Sequence, residues 1–281
     1  MKTNENELDG KSKTNKNEQN RTKKIKGVVE MKKRVLVTML AAVVISSICM
    51  AKDITVSAAA SLKDVMQDIK KAYETEVKSD SLIFNFGGSG ALQQQIENGA
   101  PTDVFISAAP KQMDALVSKG LIENGTKLNI VTNEVVLIIP KTSKSKISSY
   151  NGLSDAGIAK IGCGEPASVP VGQYSMEVFK NLGITDKVVG KLVYAKDVRA
   201  VLNWVETENA DAGIVYRTDA ITSDKIKIVC AAPKGSHSLI IYPAAVISES
   251  KVKDSASKFV KFLKSAKAKE IFVKYGFTPL N

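Results

Sequence analysis

Four times in this chain a short apolar run reaches small or hydroxyl-bearing residues and passes directly into a helical pattern. The junctions are Ala60-Ser61, Gly87-Gly88-Ser89-Gly90, Val169-Pro170-Val171-Gly172 and Lys196-Asp197-Val198. Strand–helix alternation of this kind restricts a chain to right-handed strand–helix–strand units, with helices covering a mostly parallel sheet. The first turn of each helix also carries main-chain N–H groups without an intrahelical acceptor and a partial positive charge, so each junction is a seat for an anion. Serines stand at two junctions and no lysine or arginine stands at the first two. That combination points to an anion held by neutral donors.

The N-terminal fifth is of another kind. Residues 1–30 are almost wholly polar, carry no periodic apolar set and are expected to be a disordered extension. Met31-Lys32-Lys33-Arg34 and the apolar run Val35 to Met50 read as a signal peptide over 31–51, with Cys49-Met50-Ala51 as a small-x-small cleavage site. Acylation of Cys49, as in a lipoprotein, is the competing reading; Ile48 before it is bulky for that chemistry. The chain has formal net charge +11, but residues 1–51 hold 11 of its 40 Lys+Arg and 5 of its 29 Asp+Glu. The remainder carries 29 against 24, net +5. No Arg/Lys stripe is interleaved with aromatics, so no nucleic-acid partner is expected, and the lysines of Lys251 to Lys269 read as the wet face of helices. Cys163 and Cys230 stand in apolar runs without metal-ligand spacing and are expected as two buried free thiols, a disulfide being the alternative.

Strands are predicted at Ile54–Ala60, Leu82–Phe86, Asp103–Ala108, Val135–Ile139, Lys160–Cys163, Leu192–Ala195, Ala212–Tyr216, Ile226–Val229 and Leu239–Ile247. Helices are predicted at Ser61–Glu76, Ala91–Asn98, Lys111–Lys119, Tyr174–Leu182, Val198–Thr207, Ser255–Lys264 and Ala268–Tyr275. Leu62, Val65, Met66, Ile69 and Tyr73 share one face of the first helix; Val198, Val201, Leu202 and Val205 share one face of the fifth. So many strands suit two lobes better than one small sheet. Chain crossings near Thr132-Asn133-Glu134 and Ser236-His237-Ser238 would make residues 53–133 and 238–281 one lobe, with 134–237 inserted as the other. The four junctions then lie outside the carboxyl ends of the strands, where ligands of such sheets bind.

Ser61 and Ser89 each have an ordinary reading, as helix N-caps. Asp197 reads as the cap of the helix it precedes, because its carboxylate would repel an anion. Tyr216, at the end of Gly213-Ile214-Val215, could add a hydroxyl donor or be a core tyrosine, and Arg199 reads as an ion-pair partner. A site without acceptors would favour a fully ionised oxyanion over a protonated one.

Several stretches carry a resemblance in family order over essentially the whole of the chain after residue 51. They are Ser57-Ala58-Ala59-Ala60-Ser61-Leu62, Phe86-Gly87-Gly88-Ser89-Gly90-Ala91-Leu92 and Gly99-Ala100-Pro101-Thr102-Asp103-Val104-Phe105-Ile106-Ser107-Ala108, followed by Gly164-Glu165-Pro166, Val169-Pro170-Val171-Gly172-Gln173-Tyr174, Asp197-Val198-Arg199, Gly213-Ile214-Val215-Tyr216 and Lys274-Tyr275-Gly276-Phe277. Together they resemble the periplasmic molybdate-binding proteins of ABC importers. The resemblance implies a two-lobed, type II periplasmic-binding α/β fold, each lobe a mostly parallel sheet flanked by helices, with the ligand cleft between lobes. It implies an exported, monomeric receptor without enzymatic activity or cofactor, which delivers molybdate or tungstate to a membrane permease. The family's ligand positions fall on the hydroxyls of Ser61, Ser89 and Tyr216 and the main-chain N–H groups of Val171 and Val198, so molybdenum would be held as its oxyanion through these residues. Gly88 and Gly90 stand where relatives often carry hydroxyl residues.

Two other readings compete. A receptor for another tetrahedral oxyanion, such as sulfate, needs the same donors; a phosphate receptor would add an acceptor, for which Asp197 or Asp219 could serve. A serine hydrolase would use Ser89, in a near match to Gly-x-Ser-x-Gly, with His237. The match lacks its last glycine, and His237 reads more simply as an exposed hinge residue.

Overall fold

The computed structural model describes residues 52–281; the expected polar extension, the expected signal peptide and Cys49 lie outside them. β1 (Lys52–Ala59) runs through a 3-10 turn at Ala60–Leu62 into α1 (Lys63–Glu76), and β2 (Asp80–Gly87), α2 (Ser89–Glu97), β3 (Val104–Ile106), α3 (Pro110–Ser118) and β4 (Leu128–Thr132) follow. The chain then enters β5 (Val135–Pro140), β6 (Ile161–Gly164), α4 (Pro170–Asn181), the short α5 (Thr185–Val188), β7 (Leu192–Ala195), α6 (Val198–Glu206), β8 (Ala212–Tyr216), the single turn α7 (Arg217–Ala220) and β9 (Ile226–Ala231). It ends with β10 (Ile241–Val246), α8 (Lys253–Phe262), α9 (Ala266–Lys274) and β11 (Thr278–Pro279).

Two sheets result. The first has the order β11-β4-β10-β3-β1-β2 and the second β7-β6-β8-β5-β9. In the first, β1 lies parallel to β2 and β3, whereas β10 returns antiparallel to β3 and β4. In the second, β6 is parallel to β7 and β8, and β5 is antiparallel to β8 and β9. Each sheet is thus mixed, finer than the largely parallel pattern expected. The parallel half is built from strand–helix–strand units; the antiparallel half contains the strands through which the chain leaves one sheet for the other.

The elements form for legible reasons. Val65, Met66, Ile69 and Tyr73 recur at helical spacing and are buried on α1. Val198, Val201, Leu202 and Val205 do the same on α6. All six residues of β5 are buried, as the unbroken apolar run of a strand flanked by neighbours requires. Gly99 and Gly120, with φ +81° and +69°, supply the left-handed residues just beyond α2 and α3. One apolar core runs through both sheets, and a smaller cluster including Leu92, Phe105 and Met113 fills the space under α2 and α3.

Three local expectations are corrected. Ser61 lies inside the 3-10 turn and Ser89 is the first residue of α2, behind Gly88; neither side chain caps a helix. β4 and β11 escape the sequence pattern because β4 carries polar Asn129 and Thr132 in its five residues and β11 has only two. Cys163 is buried and Cys230 only half-buried, both as free thiols. Their strands are separated in the sheet by β8 and β5, about 14 Å at ordinary strand spacing, well beyond disulfide reach.

Candidate functional site

The parallel strands of both sheets end on one cleft. β1 delivers Ala59, Ala60 and Ser61, and β2 delivers Gly87, Gly88 and Ser89. The segment after β6 brings Val169, Pro170 and Val171; that after β7 brings Asp197 and Val198; and β8 ends in Tyr216. These residues, with Ala108 after β3, line a single small cavity. The five positions singled out in the sequence, Ser61, Ser89, Val171, Val198 and Tyr216, all face it together and all are buried. The cavity leaves only about 10 Å³ for the centre of a water-sized sphere, room for about one water as it stands.

Its polar lining is almost entirely of donors. Val171 is the second residue of α4, after Pro170, and Val198 the first of α6. Their N–H groups belong to first turns and have no carbonyl one turn back. Proline at the first position has no N–H to leave unpaired. Asp197 caps α6 as expected, its Oδ1 accepting from the N–H of Ala200 at 2.9 Å. Ser89 Oγ accepts from the N–H of Ala108 at 3.0 Å, so its own proton is free for the cavity. Ser61 Oγ lies 2.9 Å from Tyr242 Oη, whose other neighbour is Asn133 Nδ2 at 3.2 Å. Tyr216 Oη is buried and has no partner among the described residues. Burial, with Tyr242, Tyr174 and Asp219 nearby, raises its phenol well above the usual range and keeps it a donor.

Contacts cross the cleft at its edges. The N–H of Gly90, on α2, donates to the carbonyl of Ser168, beside α4, at 2.8 Å. A Cβ on Gly90 would sit 2.4 Å from that carbonyl oxygen, and one on Gly88 would sit 2.5 Å from the carbonyl oxygen of Lys196. Here glycine is a requirement of approach between main chains. Arg199, on α6, reaches Asp64 on α1 at 2.6 Å and Asp219 on α7 at 2.6 Å. Burial alone would lower its guanidinium, but Asp219 and Asp64 hold it above the ordinary value. Burial pushes the Asp219 carboxyl up to about 7 despite Arg199. Arg199 is therefore the ion-pair partner expected of it, and Asp219 is committed to that pair rather than lining the cavity.

His237 is elsewhere. Its Nδ1 lies 2.7 Å from the carbonyl oxygen of Ser238, its ring packs edge-on against Tyr174, and it does not line the cleft. It is half-buried rather than exposed. Among the described residues no cluster of His, Cys, Asp and Glu could hold a metal cation. Tyr242, Asn133 and Asp64 have no local signal that marks them. Tyr242 sits in an apolar strand 181 residues from Ser61, and only the strand order brings it there.

The model of the bacterial extracellular solute-binding protein family matches residues 54–278. The chain is 44% identical over 225 residues to a Bacillus subtilis protein named as an ABC transporter substrate-binding lipoprotein, YvgL, covering 80% of this chain and 86% of that one. It is 40% identical over 229 residues to the molybdate-binding protein ModA of Escherichia coli, covering 80% and 88%. A solved structure from Clostridium difficile, described as the substrate-binding domain of a molybdenum ABC transporter, superposes with a TM-score of 0.64 at 44% identity, covering 82% of this chain and 99% of that one.

Proposed function

The chain belongs to the bacterial extracellular solute-binding protein family, and from that premise we propose that it captures molybdate outside the cytoplasm and hands it to the permease of an ABC importer. The observation that carries this reading is the convergence of Ser61, Ser89, Val171, Val198 and Tyr216 on one small, mostly donor-lined cleft, in a chain similar to molybdate receptors along most of its length.

The oxyanion is held by the hydroxyls of Ser61, Ser89 and Tyr216 and by main-chain N–H groups, those of Val171 and Val198 above all. A hydrogen bond to a charged partner contributes about 1.5–3 kcal/mol net, so about seven together offset the desolvation of a small dianion. Helix first turns add roughly 0.3–1 kcal/mol each. Such a site selects by cavity size and by the ion's lack of protons. Tungstate matches molybdate in both respects and binds as well; sulfate has shorter bonds, so its oxygens reach fewer of the donors at once.

The lobes are residues 53–133 with 238–281, and 134–237, moving about the two crossings. The ion binds one lobe's donors, recruits the other's, and shifts the population toward the closed form by its differential affinity. The receptor acts as a monomer, performs no chemistry, and has no nucleic-acid partner. Residues 31–51 direct export, with the mature chain freed by cleavage or tethered through Cys49. A hydrolase reading draws no support from the packing of His237.

Titration calorimetry on purified, ligand-stripped protein tests the reading. Molybdate and tungstate are expected to bind at least 100-fold more tightly than sulfate, and displacement of molybdate by sulfate at comparable concentration overturns it.

A further inference from the structure

The hydroxyl of Ser61 can donate or accept, and the direction is decided by residues behind it. The N–H of Glu134 faces the Asn133 amide at 2.9 Å. A backbone N–H only donates, so the atom it meets is Oδ1 and Nδ2 is on the other side. Nδ2 donates to Thr218 Oγ1 at 2.8 Å and to Tyr242 Oη at 3.2 Å. Tyr242 is fully buried, and among the described residues the only other hydrogen-bond partner of its oxygen is Ser61 Oγ. If Ser61 donated to Tyr242, the phenol proton would have nowhere to go, and an unpaired buried O–H is costly. The arrangement with every group satisfied runs one way, from Asn133 to Tyr242 to Ser61. Ser61 then has a single proton left, and it points into the cavity.

We propose that Asn133 and Tyr242 are positioning residues that hold Ser61 as a donor, so that at this wall the cleft meets a deprotonated oxygen of a tetrahedral oxyanion rather than one that carries a proton. This rests on the oxyanion reading above and deepens it. Ser89 is locked in the same sense by the N–H of Ala108. A protonated ion such as hydrogen phosphate would need an acceptor at the wall, whereas each serine, accepting from behind, has its one proton to give to the ion. Burial holds the Tyr242 phenol far above its usual range, with Asp219 adding to the shift, so the relay does not lose its proton at any ordinary pH. Asn133 also sits on the first chain crossing, between β4 and β5. The link that polarises Ser61 therefore starts in the segment about which the halves would move.

Reversing the relay tests it. In Asn133→Asp a carboxylate faces Tyr242, the phenol proton turns to it, and Ser61 donates backward and presents lone pairs to the ion. Molybdate affinity, read by calorimetry at pH 8, is expected to fall about 10-fold in Tyr242→Phe and at least 100-fold in Asn133→Asp. In the double variant the reversed link is gone while the added charge remains, and binding is expected to recover at least fivefold over Asn133→Asp alone. A purely structural role for Tyr242 makes the double variant worse. No recovery in it, or a Tyr242→Phe affinity within twofold of wild type, overturns the proposal. Neutron diffraction from deuterium-exchanged crystals of the unmodified protein reads the same feature without a variant. Deuterium on Tyr242 directed at Ser61 is expected, and deuterium on Ser61 directed at Tyr242 overturns the relay. The wild-type titration alone judges the molybdate reading, so the two can fail separately.

Discussion

Asp219 is fully buried beside Arg199 with its carboxyl raised to about 7 from an ordinary 3.8. Loss of hydration outweighs the attraction of the guanidinium, and Asp64 and Asp197 add repulsion. A carboxyl raised on folding is held protonated by the native state at a pH where the unfolded chain has released its proton. Its contribution to stability is therefore complete below about pH 4 and declines as pH rises toward 7. In Asp219→Asn that decline disappears. The melting temperature of the wild type is expected to fall relative to the variant by a few degrees between pH 4 and pH 7, since about 1 kcal/mol shifts the midpoint of a domain this size by roughly 2–4 °C. Parallel calorimetric melts would show it, and two curves that track each other would refute the assignment. The sequence marks Arg199 as a pairing residue, but which carboxylates it meets depends on α1 and α7 being brought against α6.

At the scale of elements, the cleft depends on how closely two helix starts approach. α2 begins with Gly88 outside its first turn and Gly90 inside it, and both lie against carbonyls that follow β6 and β7. Gly90→Ala places a methyl where the Ser168 carbonyl oxygen stands, which removes the 2.8 Å hydrogen bond and wedges α2 from α4. A molybdate affinity at least 10-fold weaker is expected, with a nearly unchanged melting temperature for the ligand-free protein, because α2 itself tolerates alanine. An affinity within twofold of wild type would show that closure does not need this approach. Here the limit of sequence reading is clear. Gly88 and Gly90 read as departures from a family pattern that trade away hydroxyls; their main-chain neighbours are invisible until the second sheet is in place. The strand–helix junctions themselves are legible, because each is a local switch in apolar period followed by a helix start. β4 is not, because its pattern is short and half polar, and Ser61 lies in a 3-10 turn that hydropathy does not separate from α1.

For the whole molecule, the ion pair of Arg199 with Asp64 joins an α1 residue to an α6 residue across the cleft. Asp64 is 42% exposed, and a pair so open to solvent contributes about 0–1 kcal/mol. Asp64→Ala breaks that bridge while leaving the buried Arg199–Asp219 pair intact. Removing Arg199 instead would leave Asp219 buried without its partner, a larger loss than that of the exposed bridge. In stopped-flow release, Asp64→Ala is expected to lose molybdate no more than about fivefold faster than wild type, the limit set by 1 kcal/mol. A change of 100-fold would mean that the bridge, and not the ion, holds the molecule shut. Raised salt should produce the same small acceleration in the wild type and none in the variant.

Gly90 and Ser168 have a different consequence. A joint made by one amide and one carbonyl has no ionisable group and no side-chain rotamer to freeze. Acidity and brine, which weaken charged clasps, leave such a joint untouched. On the closure proposed above, a receptor working outside the cytoplasm, where neither condition is regulated, would shut on its cargo by a seam indifferent to both.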